Sequence, residues 1–284
     1  MEKTESIKAF STGRFSTLLR SDLTVNKGNY IKMAIAALGV FAALAFLISI
    51  NAVIDINSLK QVTEQTGRSF ESTISTKQMS YGTMYLAISL WLLCIGLTVL
   101  GSLTFSNFSS KKLRISALMV PASRIEKFSL RVLLYFVGGT VLLIVGFLLG
   151  IAICEIAFGG GSPAMDSIFN FMNEDFSCSI TAAFILIAVL GNSLYALGSS
   201  IWPKLSWIKT WVVIMVVEWA CALIVMMISA THINWYSFFT FADVHVSFFK
   251  WTMLSTLAIL NIVCWALAWW RYKNTQIIQR FMTK

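Results

Sequence analysis

The chain has 284 residues, 57% of them hydrophobic and only 12% charged, with a net charge of +9. Soluble domains carry about a quarter charged residues, so the composition excludes one and indicates an integral membrane protein. The positive charge lies beside apolar runs, where topology and anionic lipid account for it, and no nucleic-acid partner is expected.

Residues 1–30 are polar and basic, with Lys3, Lys8, Arg14, Arg20 and Lys27, and are too long and too charged for a signal-peptide n-region. Within them Phe15, Leu18, Leu19 and Leu23 recur at helical spacing opposite Arg14, Arg20 and Asp22. That pattern predicts an amphipathic helix on the inner leaflet. The first apolar run, Ile31 to Ile54, is uncharged beyond Lys32 and suffices for a spanning helix of about 20 residues. A polar loop rich in Ser, Thr and Gln, Asp55 to Ser80, leads to the second run, Tyr81 to Phe105, which carries no charge.

Next comes the densest basic stretch of the chain, Asn107 to Arg131, with Lys111, Lys112, Arg114, Arg124, Lys127 and Arg131 around a short apolar centre, Ile115 to Val120, broken by Pro121. Such a stretch belongs on the cytoplasmic face. Its centre is too short to cross a bilayer but long enough to fill a groove on another protein. The third run is Phe128 to Cys154. The segment GGGSPAMDSIFNFMNED that follows has acidic residues but no Lys or Arg, which marks the outer face. The fourth run, Phe176 to Ser200, ends at a short basic turn with Lys204 and Lys209; the fifth is Thr210 to Ala230, with Glu218 inside it. An aromatic connection, Thr231 to Phe249, precedes the sixth run, Lys250 to Trp270, and the basic tail Arg271 to Lys284.

Six spans put both termini on one side. Residues 1–32, 106–131, 201–209 and 271–284 hold 18 of the 22 basic residues, so that side is predicted to be the cytoplasm. Trp202, Trp207, Trp211, Trp235, Trp251, Trp269 and Trp270 fall near span ends, as an interfacial aromatic belt would. The expected fold is an all-α integral membrane protein: an amphipathic segment over 1–30, a six-span domain over 31–270 and a cytoplasmic tail over 271–284.

No G-x-x-x-x-G-K-[ST] occurs, so no P-loop cradles ATP phosphates in this chain, and no catalytic residue is expected. Energy for any transport must come from a partner or an ion gradient. Glu218, nine residues into its span, costs about 2.5–3.5 kcal/mol on insertion scales, so it is expected to face the protein interior, a cavity or a partner, or to be protonated. Its readings are a translocation path or subunit interface, proton coupling, or a hydrogen bond to Asn192, Ser193 or another polar neighbour. Gly146 and Gly150, and Gly191 and Gly198, are spaced for close helix packing. His232, Asp243 and His245 lack ligand spacing, so no metal site is expected. The five cysteines read as small apolar residues, with a Cys154–Cys178 bridge left open.

The stretch LMVPASRIEKF, Leu118 to Phe128, resembles the L-P-A/V-S-R/N-x-E-K segment common in bacterial type-2 ABC transporter permeases, especially those of Bacteroidetes-like genomes. LYALGSSIWPKLSWIKT, Leu194 to Thr210, and WWRYKNTQII, Trp269 to Ile278, resemble the corresponding parts of that family. Val120 before Pro121, in place of the commoner Leu, is a mild departure. The resemblance implies a permease that pairs with a second copy or paralogue in the bacterial inner membrane. It also implies docking of a separate cytoplasmic ATPase, which binds ATP and Mg, on the loop between spans two and three. Ile115 to Lys127 then becomes a coupling helix and residues 1–30 a connecting helix, and Thr231 to Phe249 folds as re-entrant or short helices at the outer mouth. Leu118 and Met119 would fill a groove in the ATPase ahead of Pro121 and Ser123, while Arg124, Glu126 and Lys127 fix orientation at its rim. A plain basic loop, a proton-coupled secondary transporter using Glu218, or a non-transporting scaffold or sensor recruiting a protein through 107–131 are the other readings.

Overall fold

Every regular element is helical among the residues described by this computed structural model, which are 10–67, 71–106, 122–157, 178–230 and 246–281. In chain order they are α1 (Thr12–Val25), α2 (Lys27–Thr66), α3 (Glu71–Leu103), α4 (Arg124–Arg131), a π-helical stretch (Val132–Gly138), α5 (Gly139–Ala157), α6 (Cys178–Ile201), α7 (Ser206–Ala230) and α8 (Val246–Phe281). Among the described residues, six helices are long and apolar enough to cross a membrane. Their exposed large side chains, such as Trp91, Val216 and Ile262, fit hydrocarbon and not water. The chain therefore reads as a multi-pass membrane protein.

α2, α3 and α8 run well beyond their apolar runs. α2 has 40 residues, about 60 Å at 1.5 Å per residue, against a hydrocarbon core of about 30 Å. The stretch Asp55 to Ser80, expected as a loop, is helical up to Thr66 and again from Glu71. Its Ser, Thr and Gln residues are polar but include no Pro, and the first Gly is Gly67. There α2 stops: Gly67 takes the left-handed conformation, φ 65°, and its N–H donates to the Thr63 carbonyl at 3.0 Å. Glycine adopts that conformation without a Cβ penalty. Beyond the apolar run, Asp55 accepts from Lys77 Nζ at 3.0 Å and from the Tyr81 hydroxyl at 2.8 Å. Both ends of the Asp55–Lys77 ion pair are over 40% exposed, so Asp55→Asn is expected to lower stability by less than about 1 kcal/mol, a shift of the thermal midpoint near the limit of detection.

The tail from Arg271 is also helical, as a continuation of α8 to Phe281. Around Pro203 the chain turns sharply, with Leu205 at φ 53° and the Trp202 N–H donating to the Gly198 carbonyl at 2.8 Å.

Contacts divide the chain into two packed units. The unit formed by Gly13–Gly96 and Val137–Cys178 is organised by α2 against α5. α2 buries Phe41, Ala45, Ile48, Ser49, Ala52 and Ile56, one stripe at helical spacing. α5 answers with Gly146 and Gly150: a Cβ on Gly146 would sit 2.8 Å from the Phe41 ring, and one on Gly150 would overlap the Tyr85 hydroxyl. The Tyr85 hydroxyl donates to the Phe147 carbonyl at 3.0 Å. Cys154 is a free, buried thiol 3.7 Å from the Ser49 hydroxyl that donates to it.

In the other unit, Met1–Thr12, Leu97–Phe136 and Ser179–Lys284, α6 is central. Asn192 Nδ2 donates to the Leu97 carbonyl on α3 at 2.8 Å, and the Ser199 hydroxyl to the Gly101 carbonyl at 3.3 Å. Toward α8, the Ser193 hydroxyl donates to Asn261 Oδ1 at 3.1 Å. Gly198 packs directly under Thr210 of α7, while Gly191 meets Thr98 of α3. Backbone carbonyls of span helices carry a second lone pair, and these side chains use it as interhelical glue.

Candidate functional site

The site with most construction around it is the stem of the basic loop, where α3 ends and α4 begins. The sequence Ser123-Arg124-Ile125-Glu126 has the S-x-x-E spacing of a capping box, in which the first and fourth residues satisfy each other's orphan N–H groups. Both halves are present: Ser123 Oγ accepts from the Glu126 N–H at 3.2 Å, and Glu126 Oε2 accepts from the Ser123 N–H at 2.7 Å. The other carboxylate oxygen, Oε1, accepts from the Ser11 N–H at 2.8 Å. Glu126 is 0% exposed. One carboxylate thus starts α4 and ties the N-terminal segment to it.

Glu126, which the resemblance placed at the rim of an ATPase-docking surface, is buried and engaged with its own chain. On an eight-residue helix the capping position sits opposite Arg124 and Ile125, which are exposed. Lys127 is half-buried, and Ser123 is occupied by the cap. Leu118, Met119 and Pro121 lie outside the described residues, as do most of the expected coupling helix and His232, Asp243 and His245. Within the Thr231 to Phe249 connection, the described part begins with α8 at Val246.

Aromatic residues hold the stem from the apolar side. Phe105, just past α3, stacks on Phe128 of α4 with centroids 5.7 Å apart, and both rings lie 5.6 Å from Tyr272 of α8. Trp269 packs edge-on to Phe128 at 5.0 Å, and Trp265 bridges Phe128 and Phe136. Phe105 is 1% and Tyr272 5% exposed. Tilted and edge-to-face rings at these separations each add about 0.5–1.5 kcal/mol beyond their buried area. The entry and exit of the loop are consequently pinned to each other and to α8. Directly after α4 the chain is π-helical over Val132–Gly138, a wound-out geometry that recurs at functional sites.

Sequence reasoning singled out Glu126 but missed Ser11, Phe105, Phe136, Trp265 and Tyr272. The capping spacing was readable; the contact to Ser11, 115 positions away, carries no local signal.

Glu218 and Asn192 do not form a joint site. Asn192 is fully buried and bonds to Leu97, and its Oδ1 has no hydrogen-bond partner among the described residues. Ser193 is committed to Leu190 and Asn261. Glu218 therefore lacks the hydrogen bond to Asn192 or Ser193 that one reading supplied. It lies exposed on α7, close enough to Tyr195 of α6 to act on it electrostatically. Among the described residues, the side chains of α7 are little covered by the rest of the chain.

Comparison of the chain with protein-family models, curated proteins and solved structures finds no match.

Proposed function

We propose that this chain is the permease subunit of an ATP-binding-cassette exporter, moving an unidentified substrate across the bacterial cytoplasmic membrane with both termini in the cytoplasm. The observation that carries the reading is the stem. A loop that recruits a protein needs no rigid base, whereas a loop that receives mechanical work must deliver it to the spans. Here Phe105 and Phe128 stack at 5.7 Å and both contact Tyr272, while Glu126 clamps Ser11. A displacement of loop 107–131 is thereby passed to α3, α4, α8 and the N-terminal segment together. Rigid-body rocking of packed helices, driven by closure of a partner ATPase that holds ATP and Mg, then alternates access to a central path. Leu118 and Met119 seat in the ATPase groove and Arg124 and Lys127 orient it. Glu126 works behind them, holding the base.

Two permease subunits complete the assembly. The exposed face of α7 carries Glu218 in mid-span, and a carboxylate against hydrocarbon costs about 2.5–3.5 kcal/mol. A second subunit, identical or paralogous, covering that face removes the cost.

The test is recovery of the ATPase with gently solubilised protein. Wild type is expected to bring down a P-loop ATPase and to stimulate its ATP hydrolysis, and Leu118→Asp or Met119→Asp to lose both while remaining monodisperse. A wild-type preparation without any ATPase, or one that retains it through both substitutions, defeats the proposal.

A further inference from the structure

Between α1 and the first turns of α2 lies an open groove of about 600 Å³. Its floor is apolar, formed by Leu19 and Leu23 of α1 with Ile31 and Ala34 of α2, and Arg20 and Lys27 stand at its edge. The corner itself is fixed by Asp22, which accepts from Asn26 Nδ2 at 3.1 Å and from the Tyr30 hydroxyl at 2.5 Å. Asp22 is the single acidic residue in the sequence from 12 to 34, against the cations Arg14, Arg20 and Lys27 of α1 and the start of α2. The Arg20 and Lys27 side chains make no hydrogen bond or ion pair with any described residue. Leu23 and Ile31 are 43% and 47% exposed.

Two cations without a hydrogen-bond or ion-pair partner among the described residues, set over an apolar trough that continues onto a spanning helix, define the ligand by chemistry. A small anion uses the cations and leaves the trough wet; a neutral lipid uses the trough and leaves the cations without a counter-charge. A glycerophospholipid with an acidic headgroup uses both. We infer that this groove holds one acidic phospholipid, its phosphate against Arg20 and Lys27 and an acyl chain along Leu23, Ile31 and Ala34. Bound there, the lipid makes the N-terminal helix sensitive to the charge of its leaflet.

Native mass spectrometry of the delipidated full-length protein, titrated with palmitoyl-oleoyl phosphatidylglycerol or phosphatidylcholine, tests this. Wild type is expected to retain one phosphatidylglycerol at concentrations where phosphatidylcholine leaves it bare. Arg20→Ala combined with Lys27→Ala is expected to weaken that binding about thirtyfold, at about fivefold per cation. Lys60→Ala, which removes a charge at the far end of α2, leaves it unchanged, and Leu23→Ser weakens it without altering the charge. Equal retention of the two lipids, undiminished phosphatidylglycerol binding by the double variant, or displacement of the lipid by equimolar inorganic phosphate would each overturn the assignment.

Discussion

Gly101→Ala is expected to remove most of the monodisperse protein recovered after detergent extraction, although it adds one methyl group and raises helix propensity. A Cβ at Gly101 would stand 2.4 Å from the Asn192 carbonyl oxygen and 3.2 Å from the Ala196 nitrogen, both backbone atoms of α6. No side chain can rotate away from such a clash, so α3 and α6 must separate. Separation also stretches three bonds across the same unit: Asn192 to Leu97, Ser199 to Gly101, and the Ser206 hydroxyl to the Ser102 carbonyl at 3.0 Å. Overpacking costs about 1–3 kcal/mol, and interhelical hydrogen bonds in membrane proteins average about 0.6 kcal/mol each. A fall of several kcal/mol is a large part of the stability of an ordinary domain. Gly39→Ala is the matched control, since nothing lies within 4 Å of its Cβ position. Thermal melting followed by size-exclusion fluorescence should separate the two variants widely; equal midpoints would show that the α3–α6 approach is looser than described.

Glu126→Ala is expected to free the N-terminal segment and fray the start of α4. Its removal strands the N–H groups of Ser11 and Ser123, which the carboxylate now satisfies at 2.8 and 2.7 Å. Loss of a capping side chain costs about 1 kcal/mol, and an unsatisfied buried donor about 1–3 kcal/mol. The N-terminal segment should then be cleaved by a protease about tenfold faster, while the six spans stay intact. Glu126→Gln retains one acceptor oxygen and turns an NH2 group toward the second donor, so its effect should fall between. Arg124→Ala, at an exposed position of the same helix, should leave cleavage unchanged. Under the proposed function the two residues separate in a second readout. Arg124→Ala weakens ATPase recovery, whereas Glu126→Ala retains the ATPase and loses stimulated hydrolysis, because the loop still docks but its base yields. An Ala variant cut at the wild-type rate would mean that the carboxylate does not tether Ser11.

Much of the architecture was open to reading from the residues. The amphipathic pattern of Phe15, Leu18, Leu19 and Leu23 foretold α1, and the six apolar runs foretold six long helices. Gly146 and Gly150 were marked for close packing and do pack against Phe41 and Tyr85. Gly101, the tightest backbone approach, carried no pattern, because a lone glycine in a span is indistinguishable from a spacer. The stretch 55–80 misled because polar composition was taken as loop, whereas the helix ends were set by Gly67 and by its partner bonds. The burial of Glu126 was not legible in the same way: its capping box with Ser123 is local, but its bond to the Ser11 N–H comes from a distant segment.

Composition and run length were sufficient for the class of molecule and the number of spans. These follow from how single segments partition between water and hydrocarbon, a property additive along the chain. The clamp between Ser11 and Glu126, the Phe105–Phe128–Tyr272 cluster and the bond from Asn192 to Leu97 came from folding alone. Each joins groups tens to more than a hundred residues apart, and such pairings depend on which helix faces meet, a cooperative outcome that no local pattern encodes.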